Sequence, residues 1–267
     1  MSQTVEKIAS CDPVWSYIRR DAVEMAAKEP LLTGVLHAVA LNHDRLEKAI
    51  SYHLAQKLGG PLMNAMLLGE IFEEAFDADP DIGSAIRADI VAVYDRDPAC
   101  TSHLEPLLYF KGFHGLQCYR IAHWLWYHDR RPLALFLQNR ISEVFGLDIH
   151  PAARIGRGIM IDHGTGVVIG ETTVIEDEVS LLQNVTLGGT GKESGDRHPK
   201  VRRGALICAG AKVLGNIEIG ECAKVGAASV VLADVPSRCT VVGVPGKIVG
   251  ECCENPAREM DQSLPGC

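Results

Sequence analysis

From residue 149 the sequence repeats with a period of six. Ile149, Ile155, Ile161, Val167, Thr173, Val179 and Val185 stand at that spacing, and it resumes at Val201, Ile207, Val213, Ile219, Val225 and Val231. One inward aliphatic per hexad is the signature of a parallel β-helix, in which each hexad supplies a short strand and a corner, and three hexads close a triangular coil. The repeated side chains stack into a dry interior column. Glycine often follows directly, as in Ile155-Gly156, Ile219-Gly220 and Val225-Gly226, and serves corners where φ is positive.

Residues 12 to about 145 follow a different rule. Asp12-Pro13 reads as an N-cap with proline in the first turn, leading into VWSYIRRDAVEMAAKE. LLTGVLHAVALN, RLEKAISYHLAQKL, NAMLLGEIFEEAF, IGSAIRADIVAVYDRD, LLYFKGFHGLQCYRIAHWLWYH and LALFLQNRISEVF follow, with apolar residues three and four apart and Gly or Pro in the gaps. His114 and His123 lie on such apolar stripes and read as packing residues. The expected organisation is α+β: a helical N-terminal domain over 1–145, a β-helix over 146–250 with one extended loop, and a tail over 251–267.

The interruption in the repeat is informative. Sixteen residues separate Val185 from Val201 where six would serve, so ten leave the coil as a loop within TLGGTGKESGDRHPK. A long polar excursion on a rigid solenoid is a common place for function.

Four features share one chemical explanation: Asp148, the Asp162-His163 pair, Arg197-His198 in the loop, and Asp97 at a helix end. Asp148 and His163 are fifteen residues apart, slightly less than an eighteen-residue coil, which places them on neighbouring coils. A carboxylate that orients an imidazole makes a general base near neutral pH. No serine stands in a nucleophile elbow, so direct transfer between two bound substrates is the simplest scheme. Arg197 and His198 can meet a substrate carboxylate, and Asp97 and Asp162 a substrate ammonium. A zwitterionic hydroxyl compound is the acceptor this set suggests, with all of these residues converging on one region.

Composition excludes several other classes. A formal charge of −8 argues against binding phosphate backbones as the main task. No apolar run reaches a membrane span, and MSQTVEKIASCD lacks a secretory pattern. The nine cysteines are odd in number and never spaced C-x-x-C, which fits reduced thiols in the cytoplasm. Cys252-Cys253 has no neighbouring ligand spacing for zinc, so no metal is expected.

These motifs resemble a known family. DIHPAARIGRGIMIDHGTGVVIGETTVIEDEVSLLQNVTLGGTGKESGDRHPKVRRGALICAGAKVLGNIEIG is similar to the catalytic half of bacterial serine O-acetyltransferases, among the hexapeptide-repeat acyltransferases. YDRDPAC and LLYFKGFHGLQCYRIAHWLW resemble their helical half, and the likeness covers about residues 12–250. The resemblance implies a left-handed coil and transfer of acetyl from acetyl-CoA to the hydroxyl of L-serine, giving O-acetyl-L-serine for cysteine synthesis. It implies His163 as base, Asp148 as its partner, and Asp97, Asp162, Arg197 and His198 as binders of serine and of inhibitory L-cysteine.

For CoA, a co-substrate rather than a resident cofactor, the resemblance points to Gly189, Thr190, Ala209, Gly210, Ala227 and Lys247, with the Gly189 amide placed for the thioester oxygen. It further implies trimers or dimers of trimers with active sites between adjacent β-helices. Gly164, Ala228 and Gly246-Lys247 depart from the family pattern, which often has Ala, Gly and Ala-Arg there. Members that anchor O-acetylserine sulfhydrylase end in isoleucine, whereas this sequence ends in Cys267, so that complex is expected to be weak or absent. The competing readings are an acetyltransferase for another hydroxyl, and a zinc lyase resembling γ-type carbonic anhydrases, with a three-histidine site between β-helices drawn from His150, His163 and His198.

Overall fold

A computed structural model describes residues 12–191, 194–251 and 254–263. The readings placed on Cys252-Cys253 and on Cys267 therefore lie outside the described residues.

The first half is helical, and its ends follow the capping residues. Helix α1 (Pro13–Lys28) starts where Asp12 Oδ1 accepts from the Trp15 amide at 3.2 Å. After an irregular helical stretch over 30–41 come α2 (Leu46–Leu58), α3 (Ala65–Ala78) and α4 (Pro80–Arg96). Asn64 caps α3 and Asp79 caps α4 in the same way. The expected single helix over LLYFKGFHGLQCYRIAHWLWYH is two, α5 (Leu104–Tyr109) and α6 (Lys111–Tyr127), broken at the extended residue Phe110. The break turns α6 so that Gly112 meets the carbonyl of Ile161. Helix α7 (Arg131–Phe145) ends at Gly146 with φ of +74°.

From Leu147 the chain winds into a left-handed parallel β-helix. Face one contains Leu147–Ile149, Val167–Ile169, Thr186–Gly188, Lys212–Leu214 and Val230–Val231. Face two contains Arg154–Ile155, Val174–Ile175, Lys200–Val201 and Glu218–Ile219. Face three runs from Met160–Ile161 through Ser180–Leu181, Leu206–Ile207 and Lys224–Val225 to Cys239–Val242, where Lys247–Glu251 closes it antiparallel.

The register corrects the hexad frame over its middle part. Ile149 pairs with Ile169, Ile169 with Leu187 and Leu187 with Val213. The stacked columns therefore pass through Ile169, Ile175, Leu181 and Leu187, not through Val167, Thr173, Val179 and Val185. The latter four are also fully buried, because the position two residues earlier turns inward at each corner, and this made the two frames alike in sequence. Eight residues separate Ile161 from Ile169, and fourteen separate Leu187 from Val201. The loop is thus shorter than expected by two residues, and those two are inserted around Asp162-His163. Each buried Ile, Leu or Val in these columns contributes roughly 1.5–3 kcal/mol.

A buried ionic cluster fastens the halves together. Asp89 accepts from Arg120 Nη2 at 2.7 Å, Gln117 Nε2 at 3.0 Å and the Ile159 amide at 2.9 Å, and Arg120 donates on to the Gly156 carbonyl at 2.7 Å. Among the described residues no helix is long and apolar enough to cross a membrane.

Candidate active site

The predicted residues fall on two edges of face one. Edge one, where face three turns into face one, carries Asp162 and His163. Edge two, where face one turns into face two, carries the excursion with Arg197 and His198. Within one chain the coil therefore separates Arg197 and His198 from Asp162 and His163 by the width of a face.

On edge one the two inserted residues make a bulge. The Asp162 amide still donates to Leu181 O at 2.8 Å, and the Asn184 amide donates to Thr165 O at 2.7 Å. The surplus backbone lies between those two rungs. His163 takes φ of +56°, a region that histidine visits more readily than most residues. The Gly164 amide bonds back to Asp162 O at 2.6 Å, closing a tight turn across it. The imidazole consequently projects outward, with 70% of the side chain exposed.

The start of α6 clamps this turn. A β-carbon on Gly112 would lie 2.0 Å from Ile161 O, and one on Gly164, at φ of +77°, 2.9 Å from Gly112 Cα. The departure from alanine at 164 thus has a local cause: here only glycine fits.

Asp162 and Asp97 are brought together as expected. Asp97 follows the last turn of α4, its Oδ1 accepting from the Ala99 amide at 2.8 Å. Both line a cavity of about 760 Å3 whose walls include Cys100, Met160 and, from near the C-terminus, Met260 and Gln262. Burial holds the Asp162 carboxyl above the usual carboxylate range; His163 opposes the shift and Asp97 adds to it.

Asp148 is exposed on the first strand of face one and accepts from Gln138 Nε2 at 2.7 Å. The carboxylate nearest the imidazole is instead Asp162, at 3.8 Å from His163 Nε2. The structure does not join Asp148 to His163 by a hydrogen bond.

On edge two, Arg197 Nη2 reaches Glu171 Oε2 at 2.7 Å and its Nη1 donates to Gly195 O at 3.0 Å. His198 is buried against the corner 170–172. Burial, then Arg197, holds its imidazole below the ordinary range, with Glu171 opposing. His150 shares this edge whereas His163 does not, so the three histidines of the zinc reading do not gather in one chain. Among the described residues no three metal-ligating side chains converge.

The CoA candidates divide the same way. Ala209, Gly210 and Ala227 stack on edge one: the Gly210 amide donates to Gln183 O at 2.9 Å and the Ala228 amide to Ala209 O at 2.8 Å. Lys247 lies exposed where the last strand of face three starts. Gly189 and Thr190 begin the excursion on edge two, Gly189 beside Arg197 and Thr190 against Gly215.

Sequence reasoning missed Gly170, Glu171 and Thr172, which cradle Arg197 and His198, because small and acidic residues at a corner carry no chemical signal. It also missed Gln183 on edge one, whose Oε1 is buried without a hydrogen-bond partner.

Comparison with known proteins supplies the family. A family model described as "Serine acetyltransferase, N-terminal" matches residues 14–118. Serine acetyltransferase of Salmonella typhimurium is 56% identical over 254 residues, covering 95% of this chain and 93% of that one. Serine acetyltransferase 4 of Arabidopsis thaliana is 54% identical over 242 residues, covering 91% of this chain and 68% of its own. The crystal structure of serine acetyltransferase from Vibrio cholerae superposes with a TM-score of 0.94 at 56% identity, covering 95% of this chain and 99% of its own. A serine acetyltransferase in complex with cysteine gives a TM-score of 0.93 at 56% identity, over 94% of this chain and 98% of its own. The Brucella abortus serine acetyltransferase in complex with coenzyme A gives 0.89 at 51% identity, over 90% and 96%. With relatives this similar along nearly its whole length, the chain belongs to the serine acetyltransferase family.

Proposed function

We propose that this enzyme transfers the acetyl group of acetyl-CoA to the hydroxyl of L-serine by direct attack. His163 Nε2 removes the hydroxyl proton as the oxygen bonds to the thioester carbonyl carbon. The carbonyl oxygen takes up negative charge beside the Gly189 amide, and the C–S bond then breaks. The proton passes from the imidazolium to the departing CoA sulfur, leaving O-acetyl-L-serine and CoA, with no covalent enzyme intermediate. Asp148 orients the imidazole once the exposed His163 ring turns toward the strand that carries that carboxylate.

The observation that carries the reading is the His163 bulge. A two-residue insertion lifts one imidazole clear of an otherwise regular edge, beside a cavity where Asp97 and Asp162 can receive an ammonium. Asp97 and Asp162 hold the acceptor ammonium, and Arg197 and His198 its carboxylate. Those pairs lie on different edges of face one, so the complete site forms where edge one of one chain meets edge two of the next, in a trimer or a dimer of trimers. Ala209, Gly210, Ala227 and Lys247 line the CoA path on one side, Gly189 and Thr190 on the other. L-Cysteine, a thiol in place of the hydroxyl, competes for the acceptor subsite and provides feedback inhibition; a relative has been crystallised with cysteine.

The test is CoA release from acetyl-CoA with and without L-serine. Release should depend on serine and fall by about 10² or more in His163→Ala. Serine-independent behaviour would redirect the acceptor to another hydroxyl compound, and full activity in the variant would remove His163 from the chemistry.

A further inference from the structure

The corner at 170–172 makes more contacts to the excursion than a turn of the coil requires. Thr172 Oγ1 accepts from the amides of Arg197 at 3.0 Å and His198 at 3.1 Å, and lies 2.8 Å from His198 Nδ1. The Thr172 amide donates to the same Nδ1 at 3.2 Å, and Lys200 Nζ donates to Thr172 O at 2.9 Å. One residue therefore fixes the excursion from Arg197 to Lys200.

These contacts settle which ring nitrogen of His198 carries the proton. A backbone N–H can only donate, so Nδ1 presents its lone pair. The Thr172 hydroxyl, already accepting two amide hydrogens, faces both Nδ1 and the Asp196 carboxylate, and its hydrogen reinforces the same assignment when it points to Nδ1. A neutral imidazole with the lone pair on Nδ1 has its hydrogen on Nε2. The ring lies over Gly170, where a β-carbon would fall 2.0 Å from Cδ2 and 2.1 Å from Nε2. Burial and the neighbouring Arg197 favour the neutral form.

We propose that Thr172 is a positioning residue that locks His198 as a neutral Nε2–H donor to the acceptor carboxylate and excludes it from acting as a base. This rests on the acetyl-transfer reading above and deepens it. The two histidines take opposite roles: His163, on an exposed bulge, is available to accept a proton, whereas His198 has its accepting nitrogen occupied by the Thr172 amide. The sequence GET at 170–172 serves that assignment, since Gly170 admits the ring, Glu171 engages Arg197 and Thr172 sets the tautomer.

The experiment measures steady-state kinetics on the intact protein with Thr172→Val, Thr172→Ser, His198→Gln and His198→Asn. Valine keeps the shape but removes both hydroxyl functions; serine restores them. Thr172→Val should raise KM for L-serine about tenfold or more, leaving KM for acetyl-CoA within about twofold, since one charge-supported hydrogen bond is at stake. Thr172→Ser should recover to within about threefold of wild type. Glutamine places an amide N–H near the Nε2 position and asparagine near Nδ1, so His198→Gln should retain more activity than His198→Asn.

Equal rises in both KM values, no rescue by serine, or a better His198→Asn would each overturn the proposal. A side-chain 15N spectrum of His198 in the free enzyme separates this claim from the functional one. A protonated Nδ1 sinks the tautomer assignment even in an active enzyme. An unprotonated Nδ1 in a protein that ignores serine would sink the acetyl-transfer reading instead.

Discussion

Gly112 and Gly164 meet backbone to backbone, and on that contact rests the turn that presents His163. A β-carbon on Gly112 would collide with the Ile161 carbonyl at 2.0 Å, and neither partner is a flexible side chain. Gly112→Ala should therefore push α6 off the first coil, costing about 1–3 kcal/mol and misplacing the imidazole. Thermal melting and turnover should fall together; an unchanged melting temperature would mean that the start of α6 is not clamped.

Gly170→Ala should separate what Gly112→Ala joins. The three atoms nearest its new methyl all belong to the His198 ring rather than to backbone, so the fold should survive while the proposed acceptor subsite is spoiled. The expected result is a melting temperature within a few degrees of wild type and an apparent affinity for serine lower by roughly tenfold. Loss of stability comparable to that of Gly112→Ala would contradict the distinction.

Asp89 is fully buried and shared by α4, α6 and the β-helix. Asp89→Ala leaves the Arg120 guanidinium buried without its carboxylate, for a loss of about 3–5 kcal/mol. Replacing Asp89 and Arg120 together by apolar residues should cost less than the sum of the single changes. Additive losses in denaturant melts would show that the two charges do not depend on each other.

His53 and His114 should make the helical half acid-labile. Their rings pack edge to face 5.3 Å apart. Burial, then Lys57, pushes His53 down to about 4, and burial pushes His114 down to about 3. The folded chain then binds fewer protons than the unfolded chain below the ordinary histidine value of about 6.5. Stability accordingly falls as pH drops from there toward about 4, at up to ~1.4 kcal/mol per pH unit for each histidine. His53 Nε2 has no hydrogen-bond partner, so His53→Phe sacrifices only the ring's bond to the Leu108 backbone. Melting temperature against pH should become shallower in that variant; an identical slope would acquit His53.

Much of this architecture was legible in the sequence. The first helix starts at its Asp12 cap as read, and Ile149, Ile161, Val201, Ile207 and Val225 line the interior as the hexads require. The frame slipped between Ile161 and Val201, where Val167 and Ile169 are both inward and both aliphatic, so period alone could not choose between them. Linear spacing also made Asp148, His163, Arg197 and His198 look like one cluster. Only the three-faced coil reveals two edges. Thr172 and Gly170 gave no signal, because their work is done through the groups they hold.

The division of the site residues between two edges has a genetic reading. On the proposed roles, a chain lacking His163 and a chain lacking His198 should each be impaired alone, yet each still owns the half that the other has lost. Produced together and assembled at random into rings, they should restore about one intact gap in four. Two lesions in one gene would then complement when they strike opposite edges and fail to complement when they strike the same edge. The pattern of rescue, scored by growth alone, would sort every residue of the site onto its own side of the gap.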